Sequence, residues 1–247
     1  RRPPRSTLFP YTTLFRSMNK GKLYVVATPI GNLNDMTFRA VDTLKSVAFI
    51  LAEDTRETSK LLQRYEIQTQ LVSYRDQNHD RMIGKVVEKL DMGLDLALVS
   101  DCGTPLISDP GYRLVRDLRE KGYDVLAIPG ASALTSALSV SGLATNRFTF
   151  FGFLPKSDVR REKLLSQYKE LDSTLVLYES PNRLLKLLEL LEKIFDDCIV
   201  TVARDISKMR EQYFFGDINT VKASIDVNDF ENNPHGEYVV MVENKKD

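Results

Sequence analysis

A polar loop near the middle of the chain has the residue types best suited to hold a ligand. Residues 94–99 precede it as an apolar run, typical of a buried parallel strand, and a helical pattern begins after Gly111. Residues 100–111 between them are mostly Gly, Pro, Ser, Thr and Asp. Such residues are also common in solvated turns, but this loop exceeds the roughly 2–6 residues usual between a strand and a helix. The sequence therefore predicts a ligand site beyond the carboxyl edge of an open sheet.

Two further loops have the same character. Residues 28–33 follow a predicted strand at 23–27, and there Pro29 lacks a backbone N–H while Gly31 permits unusual dihedral angles. Residues 129–133 read Pro-Gly-Ala-Ser-Ala and follow another predicted strand. The backbone can approach a ligand closely at such positions.

Basic residues occur in two groups. Arg56, Lys60 and Arg64 are spaced four residues apart and share one face of a predicted helix. A solvated surface is the default interpretation of this stripe, and a phosphate-facing surface is the sharper alternative. Lys156 and residues 160–163 form the second group, which we expect to be a basic, mobile segment.

Missing motifs exclude several common chemistries. The 12 glycines form no G-x-G, so a dinucleotide fingerprint is absent, and no P-loop, H-E-x-x-H or G-x-S-x-G motif occurs. We expect no metal site, because the two cysteines form no C-x-x-C and no residue has ligand spacing to His79. In its polar loop, His79 is expected to contact solvent or substrate. Asp101 and Asp109 lack the oxygen-rich shell that Mg²⁺ or Ca²⁺ requires.

The order of predicted elements indicates an α/β fold. Strands and helices alternate up to about residue 130, which predicts a parallel sheet of about five strands with helices on both faces. The late strands have little helix between them, which indicates some antiparallel pairing. We therefore expect two α/β domains, residues 18–131 with a parallel sheet and residues 132–247 with a mixed sheet. The ligand cleft would lie between them.

Composition narrows the class of protein. The 247 residues are 43% hydrophobic and 28% charged, and no apolar run approaches the roughly 18 residues of a membrane span. Few cysteines and no span favour a cytoplasmic protein without a membrane partner.

The first 17 residues read differently from the rest. They contain four arginines and no acidic residue, and we expect a non-native or disordered extension. An RNA-binding arm is the competing interpretation. Without them, 30 basic residues face 34 acidic ones, a net charge of about −4.

Seven short segments, taken together and in this order, form a specific sequence pattern, whereas any one of them alone would be a weak signal. They are residues 24–33, 52–56, 98–111, 128–134, 152–155, 178–181 and 236–240. Together they resemble the tetrapyrrole (precorrin) methylase superfamily, and within it the bacterial cytidine 2′-O-methyltransferases of small-subunit ribosomal RNA. This chain departs from the family pattern at Cys102, where Ala is usual, at Asp205, where Glu is usual, and at residues 75–77, which replace a more His-rich run.

The resemblance implies a cofactor and a set of residues that bind it. The cofactor is S-adenosylmethionine, held between the two domains of a protein that is usually a homodimer. The implied contacts are Thr28, Pro29, Asp101, Gly103, Thr104, Ser132, Ala133, Tyr178, Ala203, Gly236 and Glu237. Asp101 would offer a negative charge to this cation.

The implied reaction transfers the sulfonium methyl group to a ribose hydroxyl. Alignment of the two reactants would be the enzyme's main contribution, and a general base could assist. Glu53, Asp54 and Glu179 are the acidic candidates at strand ends. Each could instead pair with Arg56 or Arg183, and we expect a structural role for at least one of them.

The implied partner is the ribosomal RNA of the small subunit, at a cytidine in its decoding region. Because the body of the chain is slightly acidic, we expect local basic groups to dock this RNA. They are Arg56, Lys60, Arg64, Lys156, Arg160, Arg161, Lys163 and Arg183. Alternative substrates within the superfamily are a tetrapyrrole or the modified histidine of elongation factor two. A non-catalytic ribosome-binding protein with a degenerate cleft is the alternative from another class.

Overall fold

The first half of the chain forms a five-stranded sheet. The computed structural model describes residues 20–195, 197–225 and 235–244, so the extension predicted for residues 1–17 lies outside the described residues. The strands are β1 (Leu23–Val26), β2 (Phe49–Ala52), β3 (Gln70–Ser73), β4 (Leu96–Val99) and β5 (Val125–Ile128). All pairs are parallel, in the order β3-β2-β4-β1-β5. The predicted parallel sheet is confirmed, and its central strand β4 is buried along its whole length.

Helices cover both faces of this sheet. They are α1 (Phe38–Ser46), α2 (Thr55–Arg64), α3 (His79–Asp91) and α4 (Tyr112–Glu120). Leu44 of α1 and Leu62 of α2 belong to one buried cluster, whereas Val86 of α3 and Leu118 of α4 belong to another. Two separate clusters are expected when crossover helices pack on opposite faces of a parallel sheet.

The second half forms a mixed sheet. Its strands are β6 (Phe148–Phe153), β7 (Thr174–Glu179), β8 (Cys198–Arg204), β9 (Gln212–Gly216) and β10 (Tyr238–Asn244), in the order β6-β7-β10-β8-β9. Strands β6 and β7 are parallel, and the remaining pairs are antiparallel. The predicted mixed sheet is therefore confirmed.

The second sheet also has helices on both faces. They are α5 (Ala133–Val140), α6 (Asp158–Ser166), α7 (Pro181–Ile194) and α8 (Ile218–Ser224). Leu138 of α5 packs on one face, while Leu188 of α7 and Val221 of α8 pack on the other. Because α5 packs on this sheet, we propose the boundary between the domains just before it, at residues 131 and 132.

The basic segment after β6 differs from the prediction. The chain there forms helix α6 rather than a mobile loop, and Arg161 is buried with an ion pair to Asp158. Pro155 and the dense charges conceal the helix in the sequence, since few apolar residues mark its inner face. In the described part of the chain, no helix is both long and apolar enough to cross a membrane.

Candidate functional site

Three loops meet at the carboxyl edge of the first sheet. They follow the neighbouring strands β4, β1 and β5, so the topology alone brings them together. Thr28 and Gly103 form a two-bond backbone bridge, with N···O distances of 2.8 and 3.1 Å. The Thr104 hydroxyl donates to the Ala131 carbonyl at 3.0 Å and so ties the central loop to the third loop.

Gly103 is required at the bridge. Its φ of +80° is unfavourable for side-chain-bearing residues, and an added Cβ would lie 3.2 Å from Cγ2 of Ile30. A residue with a side chain at this position would therefore disturb the bridge between the two loops.

A cavity of about 340 Å³ lies between the two sheets, bordered by these loops. From the first sheet its wall includes Ile30, Cys102, Gly103, Thr104, Ile107, Ser108 and Asp109, and Ser132 and Ala133 follow at the domain junction. From the second sheet come Phe153, Tyr178, Glu179, Ser180, Pro181, Ile206, Gly236, Glu237, Tyr238 and Val239. The strand order divides this wall into an end beside β6 and β7 and an end beside β10 and β8.

The two domains touch at both ends of the cavity. At the β6 end, a Cβ added to Gly152 would lie 2.5 Å from Oγ of Ser108, so only a glycine allows this close approach. At the β8 end, Lys208 packs against Gly31 and the Ser207 hydroxyl donates to the Asp35 carboxylate.

The charges around the cavity are mainly negative. Burial, followed by the nearby charge of Asp101, raises the pKa of Asp109, although a hydrogen bond from Ser100 opposes this shift. The Glu237 carboxylate is exposed and lies 3.0 Å from the Lys208 ammonium. Burial raises the pKa of Cys102 to about 11 and that of Tyr178 to about 12, so both stay neutral at pH 7. A cationic ligand fits such a wall better than an anionic one.

Most of the residues predicted to bind a cofactor lie in the cavity wall. They are Gly103, Thr104, Ser132, Ala133, Tyr178, Gly236 and Glu237. Four others are not part of this wall: Thr28 and Pro29 are buried, Ala203 packs in the core beneath α5, and Asp101 is exposed, with its carboxylate accepting the backbone N–H of Asp54 at 2.9 Å. Their contacts stabilise the loops and the core, and their part in cofactor binding stays a prediction.

The three candidate bases are dispersed. Asp54 caps helix α2 and accepts two hydrogen bonds from the Arg56 guanidinium, which hold its pKa well below the usual range. The pKa of Glu53 is raised by burial and by the charges of Asp101 and Asp109, but Glu53 is not part of the cavity wall. The Glu179 carboxylate has no exposed surface and pairs with Arg183. A structural pairing, which the sequence left open, is thus found for Asp54 and Glu179.

Most of the predicted RNA-binding side chains are on the surface. Arg56, Lys60, Arg64, Lys156, Arg160 and Lys163 are exposed. Arg56 pairs with Asp54 and Lys60 with Glu57, so neither charge is isolated. The prediction for Arg161 does not fit its buried position, and Arg183 is directed inward toward Glu179.

The prediction for His79 is wrong. His79 is buried, with Nδ1 2.9 Å from the Tyr74 hydroxyl and Nε2 3.0 Å from the Asp117 carboxylate. Because a carboxylate only accepts, Nε2 carries the proton and Nδ1 accepts from Tyr74. Asp117 is 38 residues away in sequence, so local polarity could not reveal this contact.

Sequence reasoning missed several residues of the wall. Asp109 lies in the central loop, where the sequence pattern suggested only a metal ligand, and Phe153 is the last residue of β6, where no polar group marks it as part of a site. Positive φ angles at Leu106 and Ser108 show how tightly this loop turns before Asp109. The unusual length of the loop was the available signal for Asp109.

Comparisons of the sequence and of the fold with known proteins identify the family of this chain. The sequence profile of the family described as Tetrapyrrole (Corrin/Porphyrin) Methylases matches residues 22–222. Two solved structures share the fold: uroporphyrin-III-C-methyltransferase from Thermus thermophilus, with a TM-score of 0.56, and the cobalt precorrin-4 methyltransferase CbiF, with 0.62. The matches cover 91% and 89% of this chain and 92% and 94% of those chains. At 18% and 14% identity they establish the fold alone.

Sequence relatives are much more similar. A Synechocystis protein named ribosomal RNA small subunit methyltransferase I is 47% identical over 90% of this chain and 78% of its own length. The protein of that name from Thermotoga maritima is 43% identical over 92% of this chain and 100% of its own length. The match is thus longer than either domain. The chain therefore belongs to the tetrapyrrole methylase family, in the group of proteins named ribosomal RNA small subunit methyltransferase I.

Proposed function

We propose that this protein is an S-adenosylmethionine-dependent enzyme that methylates the ribose 2′-hydroxyl of a cytidine in the decoding region of small-subunit ribosomal RNA. The observation that carries the proposal is its similarity to ribosomal RNA methyltransferases over about nine tenths of the chain. The cleft between the two sheets supports it, because its wall suits a small cationic ligand.

The residues of the cavity fit this cofactor. A volume of about 340 Å³ falls within the range of roughly 300–1,000 Å³ typical of small-molecule sites. Gly236 in the wall has no side chain to cover its backbone, which suits the polar edges of an adenosine and an amino acid. Asp109 and Glu237 offer carboxylates to the sulfonium and ammonium charges. When bound, S-adenosylmethionine would supply an activated methyl group.

The contribution of the protein is alignment. Holding the ribose oxygen near attack distance can supply several kcal/mol of rate acceleration, about 7–11 in the best cases. Among the three candidate bases, Asp54 is held by Arg56, Glu179 is enclosed, and Glu53 is not part of the cavity wall. We therefore base the mechanism on positioning between the two domains, with water excluded by their contacts.

The RNA would approach through basic groups on both domains. Arg56 at the start of α2 and Lys156 and Arg160 after β6 are exposed. A body with a net charge of about −4 binds arbitrary RNA weakly, which favours a substrate presented in a shaped particle. We also propose that the enzyme is cytoplasmic and acts as a homodimer, as the family resemblance implies.

Methyl transfer from labelled S-adenosylmethionine tests the proposal. Assembled small subunits, naked ribosomal RNA and a tetrapyrrole would be offered in parallel, and the labelled nucleoside would be identified after digestion. We expect label in 2′-O-methylcytidine, with the subunit or its RNA as acceptor. Label on the tetrapyrrole alone would contradict the proposal, and titration calorimetry without S-adenosylmethionine binding would favour a non-catalytic protein.

A further inference from the structure

The buried carboxylate of Glu179 makes contacts on both of its oxygen atoms. Oε1 accepts hydrogen bonds from the backbone N–H of Ser180 at 2.7 Å and from its hydroxyl at 3.2 Å. Oε2 lies 3.1 Å from Nη2 of Arg183, which is in the first turn of α7. The side chain of Glu179 is 0% exposed. The carboxylate therefore fixes the junction between β7 and α7 and cannot meet a substrate in this conformation.

Arg183 continues the chain of contacts to the neighbouring strand. Its Nη2 donates to the carbonyl of Leu154 at 3.1 Å. Leu154 directly follows Phe153, the last residue of β6, and the Leu154 side chain is buried. Glu179 and Arg183 thus connect the end of β7 with the end of β6 through a side-chain pair.

The residues held by this pair form one end of the cavity. Phe153 and Tyr178 are paired in the β6–β7 register, and their rings meet edge to face with centroids 5.7 Å apart. Phe153 is 59% exposed although it lines the cavity, so its ring is available to a ligand. Ser108 of the central loop packs against Gly152 just before it.

The exposed side chains that follow β6 favour this end of the cavity for the acceptor. Lys156 and Arg160 follow β6 closely and are exposed, which suits a polyanion. The opposite end, beside β10 and β8, contains Glu237 and the accessible backbone of Gly236. Carboxylates line the cavity at both ends, so the exposed Phe153 ring and the cations after β6 are the features that favour a nucleotide of the RNA at the β6 end.

We propose that Glu179 and Arg183 act together as positioning residues for the acceptor nucleotide, by fixing the wall formed by Phe153 and Tyr178. This inference rests on the proposed function. It assigns Glu179 a role other than general base and Arg183 a role other than phosphate contact. Since the two side chains act through one connection, loss of either has the same consequence.

The experiment compares Glu179→Gln, Arg183→Gln and the double variant with the wild type. Lys186→Gln is the matched control, because Lys186 is an exposed cation on the same helix. Methyl transfer to small subunits gives kcat and KM over a range of pH and salt concentration, and calorimetry gives the affinity for S-adenosylmethionine. Thermal unfolding verifies the fold of each variant. Should either glutamine variant fail to fold, Arg183→Lys, which keeps the charge, replaces it.

We expect each single variant to lose about 10- to 100-fold in kcat/KM, as for a small misplacement of reactants. The double variant should be within about threefold of the weaker single variant, because the effects of a connected pair are not additive. Affinity for S-adenosylmethionine, the shape of the pH profile and the salt dependence should stay those of the wild type. Lys186→Gln should retain full activity.

Three results would overturn the inference. Loss of activity with a changed pH profile in Glu179→Gln alone would make Glu179 the base. A reduced salt dependence in Arg183→Gln alone would make Arg183 a phosphate contact. Wild-type activity in both variants would leave the pair without a role. A wild-type protein that methylates neither subunits nor their RNA would instead refute the proposed function, and this inference with it.

Discussion

At the scale of single residues, Asp109 has a buried environment that disfavours its charge and a position that suits contact with a cationic ligand. Its carboxylate lies in the cavity wall, and burial raises its pKa. A group with a raised pKa stabilises the folded state below its unfolded pKa, near 3.8, and loses this contribution as the pH rises through its folded value. At pH 7 the ionised carboxylate is thus a cost to folding, which a cationic ligand would offset.

This balance predicts opposite effects of Asp109→Asn on stability and on binding. Without an ionisable group, the variant should be at least as stable as the wild type at pH 7, as measured by chemical unfolding. Its affinity for S-adenosylmethionine should fall at least about tenfold, or about 1.4 kcal/mol, as measured by calorimetry.

Asp101→Asn provides the comparison for Asp109→Asn. Asp101 accepts a hydrogen bond from the backbone of Asp54 and is not part of the cavity wall, so we expect a smaller effect on affinity than at Asp109. A larger loss of affinity at Asp101 would show that the sequence-based assignment of that residue was better than the one from the cavity.

At the scale of elements, the buried Tyr74–His79–Asp117 network fixes helix α4 against α3. Nearby, the Asp76 carboxylate accepts the backbone N–H of Gly111 at 3.2 Å, and Arg113 donates to the Asp76 carbonyl. The end of the central loop is therefore held by residues that follow β3. This explains how a 12-residue loop without regular structure keeps one shape.

Asp117→Asn should destabilise the fold in a pH-dependent manner. The hydrogen bond from His79 lowers the pKa of Asp117 below its ordinary value of 3.8. A lowered pKa contributes stability above the unfolded value, and this contribution is lost as the pH falls through the folded one. Urea unfolding should show the variant less stable at pH 7, with the difference shrinking below pH 3.8. A difference that stays constant with pH would contradict this explanation.

The exposed face of α2 makes a separate prediction about RNA. Reversing both Lys60 and Arg64 to Glu should weaken binding to small subunits and lower the slope of log affinity against log salt by about 1 to 2. The control is the double variant Lys85→Glu and Lys89→Glu on α3, because these two lysines have the same spacing on another helix that packs against the first sheet. Equal salt slopes in both double variants would make the α2 stripe an ordinary solvated surface.

The sequence predicted elements better than contacts. Apolar runs identified the strands, as at residues 23–27, where the structure has β1 at Leu23–Val26. The long central loop located the cavity in advance. Periodicity could not show that Arg161 and His79 are buried, because their partners or surroundings depend on packing. Nor could it show that Glu179 pairs with Arg183, since a carboxylate at a strand end suits a structural or a catalytic role.

At the scale of the whole molecule, the site exists only where the two sheets face one another. The first sheet contributes loops from the ends of β1 and β4, and the second contributes the ends of β6, β7 and β10. Contacts at Gly152 and Gly31 set the distance between the domains at the two ends of the cavity. Larger residues at these two glycines would therefore change the width of the site without touching its wall.

The place of β10 in the second sheet has a consequence for biosynthesis. Within the described ranges it is the last of ten strands in sequence, yet it lies between β7 and β8 at the centre of its sheet. The N-terminal sheet has all its strands once residue 128 has been translated, whereas the other lacks its middle until residue 244. A nascent polypeptide would hold β7 and β8 as open edges, which are prone to aggregate. The second sheet, and with it the site, can therefore be completed only near the end of translation, when β10 pairs with β7 and β8.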